Sequence, residues 1–120
     1  MADVLTPQRI SERLGRLSRE LDALVDMLES AELDAAHKRA AADLAESKAF
    51  VNADGPMDMR KHLARIAAGD AESDALVAEA LVRVLRQKIR AKQVSVEVGR
   101  SMNAALRAEL ETLTHQGTGR

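Results

Sequence analysis

Seven basic residues lie close together in the last third of the chain, and they are the side chains best suited to bind a charged partner. Residues 80–108 hold these bases and a single acid, Glu97, so the segment carries a charge of +6 in a protein whose net charge is −1. The bases are Arg83, Arg86, Lys88, Arg90, Lys92, Arg100 and Arg107. Such a surface can bind an anion such as nucleic acid. Alternatively, it is a solvated helix face whose charge is balanced by acidic neighbours in the fold.

Catalytic groups are sparse by comparison. His37, His62 and His115 are scattered, without the spacing of a metal site, and the chain has no cysteine. The six glycines stand singly, so they form no phosphate-binding loop. We therefore predict a protein that is not an enzyme and uses no metal or cofactor.

The composition is typical of long helices that bury a stripe against other helices. Hydrophobic residues make up 46% of the chain and charged residues 31%, while Phe50 is the only aromatic residue. No run approaches 18 apolar residues, so we expect a cytoplasmic protein with no membrane partner. The fold class predicted is all-α, with long antiparallel, coiled-coil-like helices and a short middle helix in one domain over residues 1–113.

The first helix is predicted over residues 7–52. Thr6-Pro7 provides a capping residue and a proline at the first helical position, and Asp54-Gly55-Pro56 ends the helix. Between these signals, apolar residues recur at alternating spacings of four and three, with leucine in the first half and alanine in the second. The leucine half of this seam is predicted to form a homo-oligomer interface of Ile10, Leu14, Leu17, Leu21, Leu24 and Leu28.

Two further helices are predicted, over residues 58–68 and 71–113, followed by a disordered tail over 114–120. In the third helix the expected core face contains Val77, Leu81, Val84, Met102, Leu106, Leu110 and Leu113. The stretch 89–100 alternates like a strand at Val94, Val96 and Val98, but the helical periodicity keeps its phase on both sides. We predict a weak helix there, enclosed by neighbours because it is apolar nearly all round.

Part of the chain resembles a family of phage proteins. The segment from Lys38-Arg39 through Lys48 and Phe50 to Gly55 is similar to the basic helix, aromatic residue and turn of the phage recombination mediators typified by UvsY. The stretch from Ile89 through Arg100-Ser101-Met102 resembles their closing helix. The similarity covers residues 38–108 and lies in spacing more than in residue identity. Where the family has a basic pair before the turn, near 44–47, this chain has no base.

The resemblance implies an all-helical ring-forming oligomer that binds single-stranded DNA and helps to load a recombinase onto strands covered by a single-strand-binding protein. With no aromatic platform, DNA contact would run through phosphates and would not read sequence. The predicted DNA-binding residues are Arg83, Arg86, Arg90, Arg100, Arg107, Lys38, Arg39 and Lys48. The alternative is a structural or adaptor coiled-coil oligomer, such as a phage assembly or scaffold component. The two differ in whether the arginines of the third helix are exposed or paired with acids of the first.

Overall fold

The computed structural model describes residues 5–118, of which residues 115–118 are described only by their backbone. Three helices account for almost all of this range: α1 (Pro7–Asn52), α2 (Met57–Ala67) and α3 (Gly69–Thr118). No strand occurs among these residues, so the all-α prediction is confirmed. The strand-like stretch 89–100 is helical throughout, as predicted.

The ends of α1 follow the local signals in the sequence. The Thr6 hydroxyl oxygen accepts a hydrogen bond from the Arg9 N–H at 3.2 Å, and this bond satisfies one of the free donors at the helix start. After Asn52 the chain turns at Gly55, whose φ of 110° is a backbone conformation that favours glycine. The predicted range of 7–52 is therefore confirmed.

A cation–π contact holds α2 at the end of α1. The Arg60 guanidinium lies over the Phe50 ring at 4.5 Å, and its Nη2 donates to the Phe50 carbonyl oxygen at 3.0 Å. Only Ala68 separates α2 from α3, whereas the sequence predicts a longer break with a third helix beginning at residue 71. Gly69 instead begins α3, since the Ala68 carbonyl already accepts the Glu72 N–H at 2.9 Å.

At its other end α3 continues to Thr118, so residues 114–118 are helical and the prediction of a disordered tail is wrong for them. Hydroxyl groups can bond back to their own helix here: Thr112 and Thr114 each donate to the carbonyl oxygen four residues earlier, at 2.9 Å. Residues 119 and 120, the rest of the predicted tail, lie outside the described residues.

The contacts divide the chain into two compact units, where the sequence predicts one domain. Unit 1 comprises residues 1–25 and 88–120, and unit 2 comprises residues 26–87. Within unit 2, Glu32 contacts Arg86 while Arg39 contacts Glu79, so α1 and α3 run in opposite directions. Within unit 1, Glu20 contacts Lys92, and Leu14 lies against Gly99, which gives the same direction.

The core face predicted for α3 is wrong. Val77, Leu81, Val84, Met102, Leu110 and Leu113 are exposed, and only Leu106 of that set is half-buried. A different set of buried or half-buried residues recurs at alternating spacings of four and three: Ala71, Ala75, Ala78, Val82, Leu85, Ile89, Lys92, Val96, Gly99, Asn103 and Leu106. Glu72, Glu79 and Ala80, beside this seam, are also half-buried. This seam contains a lysine, a glycine and an asparagine, so a search for hydrophobic periodicity does not detect it.

The expected enclosure of residues 89–100 is also wrong. Val96 is buried, but Val94 and Val98 are more than half exposed. In α1, by contrast, every member of the predicted seam from Ile10 to Ala49 is buried or half-buried except Lys38, which is exposed. Arg39, its neighbour, takes the half-buried place instead.

Candidate nucleic-acid interface

The eight bases predicted to bind DNA fall into two sets. Five of them belong to unit 2: Lys38, Arg39, Lys48, Arg83 and Arg86. The other three belong to unit 1: Arg90, Arg100 and Arg107. Seven of the eight are exposed, and Arg39 is half-buried. The two sets also differ in what their side chains contact.

Arg39 in unit 2 is held by carboxylates of α3. Its Nη1 donates to Glu72 and its Nη2 to Glu79, each at 2.7 Å, and Asp43 of the same helix lies 3.8 Å away. The hydrogen bond from Arg39 is the main reason that the pKa of Glu79 is lowered, and the bonds to Glu79 and Glu72 raise the pKa of Arg39. A guanidinium occupied in this way joins α1 to α3 and leaves little capacity for phosphate.

Two more bases of unit 2 contact acids. Arg86 donates to Glu32 at 2.8 Å across the two helices, and Lys38 lies 3.0 Å from Asp34 one turn earlier on α1. Both pairs are solvent-exposed, so each contributes little to stability. Lys48 and Arg83 have no ion pair among the described residues.

Unit 1 leaves its three predicted bases uncompensated. Arg90, Arg100 and Arg107 are exposed on α3, and no carboxylate of residues 5–114 lies within ion-pair distance of them. The ion pair between α1 and α3 in this unit joins Lys92 to Glu20 at 2.5 Å. The hydrogen bond and the charge of Lys92 together lower the pKa of Glu20. The exposed arginines of unit 1 are thus available to an anionic partner.

The charge balance of the units has the same sense. Unit 1 has ten bases and seven acids, a net charge of +3, whereas unit 2 has eight bases and twelve acids, a net charge of −4. Phe50, the only aromatic residue, lies in unit 2 beneath Arg60. An anion drawn to unit 1 would therefore meet charge without any ring for base stacking.

The residues predicted as an oligomer interface contribute to the core of a single chain. Ile10 is buried, and Leu14, Leu17, Leu21, Leu24 and Leu28 are half-buried. Covering this seam therefore does not by itself require a second copy. The homo-oligomer stays a prediction. A second copy would contact the part of these leucine side chains that is still exposed in a single chain.

Sequence reasoning missed the acids that bind the bases and a groove in unit 1. Glu72 and Glu79 were not expected as partners of Arg39, although both lie on the same edge of the α3 seam, seven residues apart. Gly99 is among the residues that line this groove, and it lets α1 approach α3 closely, because a Cβ at this position would be only 2.8 Å from Leu14 Cδ2. A glycine inside a helix is the signal that could have indicated this close approach.

No group of three or more metal-ligating side chains occurs among the described residues. None of the helices in that range is long and apolar enough to cross a membrane. No protein-family model, curated protein or solved structure matches the chain.

Proposed function

We propose that this chain is a non-enzymatic protein that binds single-stranded DNA through unit 1. The observation that supports the proposal is the set of exposed arginines on α3, Arg90, Arg100 and Arg107, which no described carboxylate neutralises. Phosphate groups would bind there with little loss of existing ion pairs. Unit 2 is less suitable, because Arg39 and Arg86 would have to leave carboxylate partners. Lys48 and Arg83 have no ion pair among the described residues, but they belong to a unit whose net charge is −4.

The resemblance to phage recombination mediators extends this proposal. If the chain acts as such a mediator, it binds DNA as a homo-oligomer and assists a recombinase on strands covered by a single-strand-binding protein. An oligomer would bring several copies of the three arginines onto one strand, and linked weak sites bind far more tightly than one. In this proposal α1 and α3 pair as an antiparallel coiled coil within each chain.

The test is a binding titration with a fluorescent oligothymidylate at low salt. Three phosphate contacts predict that log K falls against log salt with a slope of about −2, at about −0.7 per phosphate. Changing Arg90, Arg100 and Arg107 together to Glu should abolish binding. The matched control changes Lys48, Lys61 and Arg65 of unit 2 to Glu, with the same change in net charge, and should lose less affinity.

Two results would contradict this assignment. If wild-type protein fails to bind the oligonucleotide in low salt, the chain is not a DNA-binding protein of this kind. If the control variant loses more affinity than the unit 1 variant, the DNA site belongs to unit 2.

A second candidate, a structural or adaptor coiled-coil oligomer, is favoured by exposed apolar residues outside the seams. In unit 2 these include Val77, Leu81 and Val84 of α3, each more than 40% exposed. Light scattering on the DNA-free protein measures its oligomeric state, and with the DNA titration it distinguishes the DNA-binding protein from the adaptor. An oligomer that binds no DNA supports the adaptor, and a monomer excludes it.

A further inference from the structure

Unit 1 contains an open apolar groove between α1 and α3, with a volume of about 650 Å³. Its apolar lining comes from both helices: Ile10, Leu14 and Leu17 on α1, and Val94, Val98 and Met102 on α3. Gly99 lies between Val98 and Met102 in this lining, and the lack of a side chain there lets Leu14 lie against the α3 backbone. The groove is therefore formed jointly by side chains of α1 and α3 where the two helices pack against each other.

The two sides of the groove differ in charge: the α1 side is charged and the α3 side is not. Arg9, Arg13, Arg16 and Glu12 line the α1 side, whereas every lining residue of α3 is uncharged. The one hydroxyl among the latter, that of Ser95, donates to the Ala91 carbonyl oxygen at 3.1 Å. A ligand in the groove thus meets an apolar surface on α3 and a mainly positive rim on α1.

We propose that this groove binds an amphipathic helix of a partner protein, with acidic residues along one edge of its apolar stripe. A helix in a groove places apolar anchors at spacings of three and four residues. On the α1 rim, Arg13 and Arg16 lie about 4.5 Å apart along the helix axis, or roughly one helical turn. Acids of the partner at the same spacing would face these arginines while its apolar stripe contacts Val98 and Met102.

A second copy of this chain fits the groove less well. If two grooves packed face to face, each arginine rim would meet a lining whose only acid is Glu12. Like charges placed together across an interface cost affinity, so the positive rim favours an acidic partner over a copy of itself.

The probe is a side-chain-stapled helical peptide of about 14 residues, roughly four turns, with leucines at spacings of three and four and glutamates along one edge. A matched peptide has lysine in place of each glutamate. Fluorescence anisotropy with the full chain measures both. The glutamate peptide should bind at least about tenfold more tightly than the lysine peptide, a difference of about 1.4 kcal/mol.

Two pairs of variants locate the site. Val98→Asp with Met102→Asp should weaken binding of the glutamate peptide by about tenfold or more, whereas Leu110→Asp, exposed on the same helix outside the groove, should not. Arg13→Glu with Arg16→Glu should weaken it similarly, whereas Arg90→Glu with Arg107→Glu should not. Circular dichroism confirms that each variant is folded. Arg90 and Arg107 belong to the proposed DNA site and not to the groove. The peptide and DNA titrations therefore test the two proposals separately, and either proposal can fail without the other.

Three results would overturn the inference. The first is a glutamate peptide that does not bind, and the second is a lysine peptide that binds equally well. The third is self-association of the wild-type protein that Val98→Asp with Met102→Asp abolishes, since the groove would then be an interface between copies of this chain.

Discussion

Both units contain parts of α1 and α3, and unit 2 also contains α2, but the two are stabilised differently. In unit 2 the buried residues are mostly alanines, among them Ala31, Ala35, Ala42, Ala75 and Ala78. In unit 1 the α1 seam begins with Ile10, which is buried, and continues with leucines that are only half-buried. Unit 2 places ion pairs between α1 and α3 at Arg39 and Arg86, whereas Arg90, Arg100 and Arg107 of unit 1 have no carboxylate partner among residues 5–114.

This difference shows what seam residues of different size achieve. Alanine can be buried completely, but it removes little apolar area from water, so additional contacts such as charged hydrogen bonds matter more. Leucine offers more area, but in unit 1 it faces an α3 row that includes Lys92, Gly99 and Asn103, and an open groove between the helices is lined by residues of both. Unit 1 therefore combines apolar stabilisation with open surface, and unit 2 combines close packing with a neutralised edge.

The sharpest way to test the comparison is to enlarge a buried alanine. Ala75 in unit 2 is 0% exposed, so Ala75→Leu should lower the free energy of unfolding by about 1–3 kcal/mol through overpacking. Urea denaturation at fixed protein concentration measures the change. The control, Ala40→Leu on the exposed side of α1, should stay within about 0.5 kcal/mol of wild type. Equal effects would mean that the seam of unit 2 is not closely packed.

The ion pairs of unit 2 predict a pH dependence of smaller size. The folded pKa of Glu79 is lowered from its ordinary value of 4.5, chiefly by Arg39, so its contribution is present above that value and is lost as pH falls through the lowered one. Arg39→Gln should therefore lower the urea midpoint at neutral pH, and the gap to wild type should shrink at a pH of about 3. Arg65→Gln is the control, since Arg65 is exposed and 4.0 Å from Glu46. If the difference in urea midpoint between wild type and Arg39→Gln stays constant with pH, the stabilisation by Arg39 does not come from its pairs with ionised carboxylates.

The smallest effect expected concerns two helical glycines of unit 1. Gly15→Ala should raise the free energy of unfolding by about 0.5–1 kcal/mol, because alanine favours helix and the new Cβ would meet only Arg19 Nη1 at 3.5 Å. Gly99→Ala should gain less or lose stability, since Leu14 Cδ2 lies 2.8 Å from the new Cβ and must move. Thermal unfolding of both variants tests this. Equal stabilisation by the two alanines would contradict the close approach that shapes the groove.

The sequence predicts α1 more reliably than α3, for a physical reason. In α1 the caps at Thr6 and Gly55 and the leucine–alanine seam agree, so range and buried face were both predictable. In α3 the buried seam passes through Lys92, Gly99 and Asn103, while Val77, Leu81 and Val84 form a more hydrophobic stripe outside it. A pattern based on hydrophobicity selects the wrong stripe, because it does not include the neighbour that decides which side is covered.

The site shows the same limit. The cluster of bases on α3 is visible in the sequence, but whether its arginines are exposed or paired is not. Whether a base is neutralised depends on residues far away in the chain: Glu32 lies 54 residues from its partner Arg86 on α3, and Glu72 and Glu79 lie more than 30 residues from Arg39 on α1. Ion pairs of this separation follow from the register between helices, which no local pattern specifies.

The sequence by itself determined the helical class, the range of α1 and the segment where positive charge is concentrated, because capping, helical periodicity and charge are local properties. Only the tertiary structure decided which stripe of α3 is buried, which arginines have carboxylate partners and where the groove of unit 1 lies. Each of these depends on the antiparallel register of α1 and α3, which brings Leu14 to Gly99 in unit 1 and Arg39 to Glu79 in unit 2.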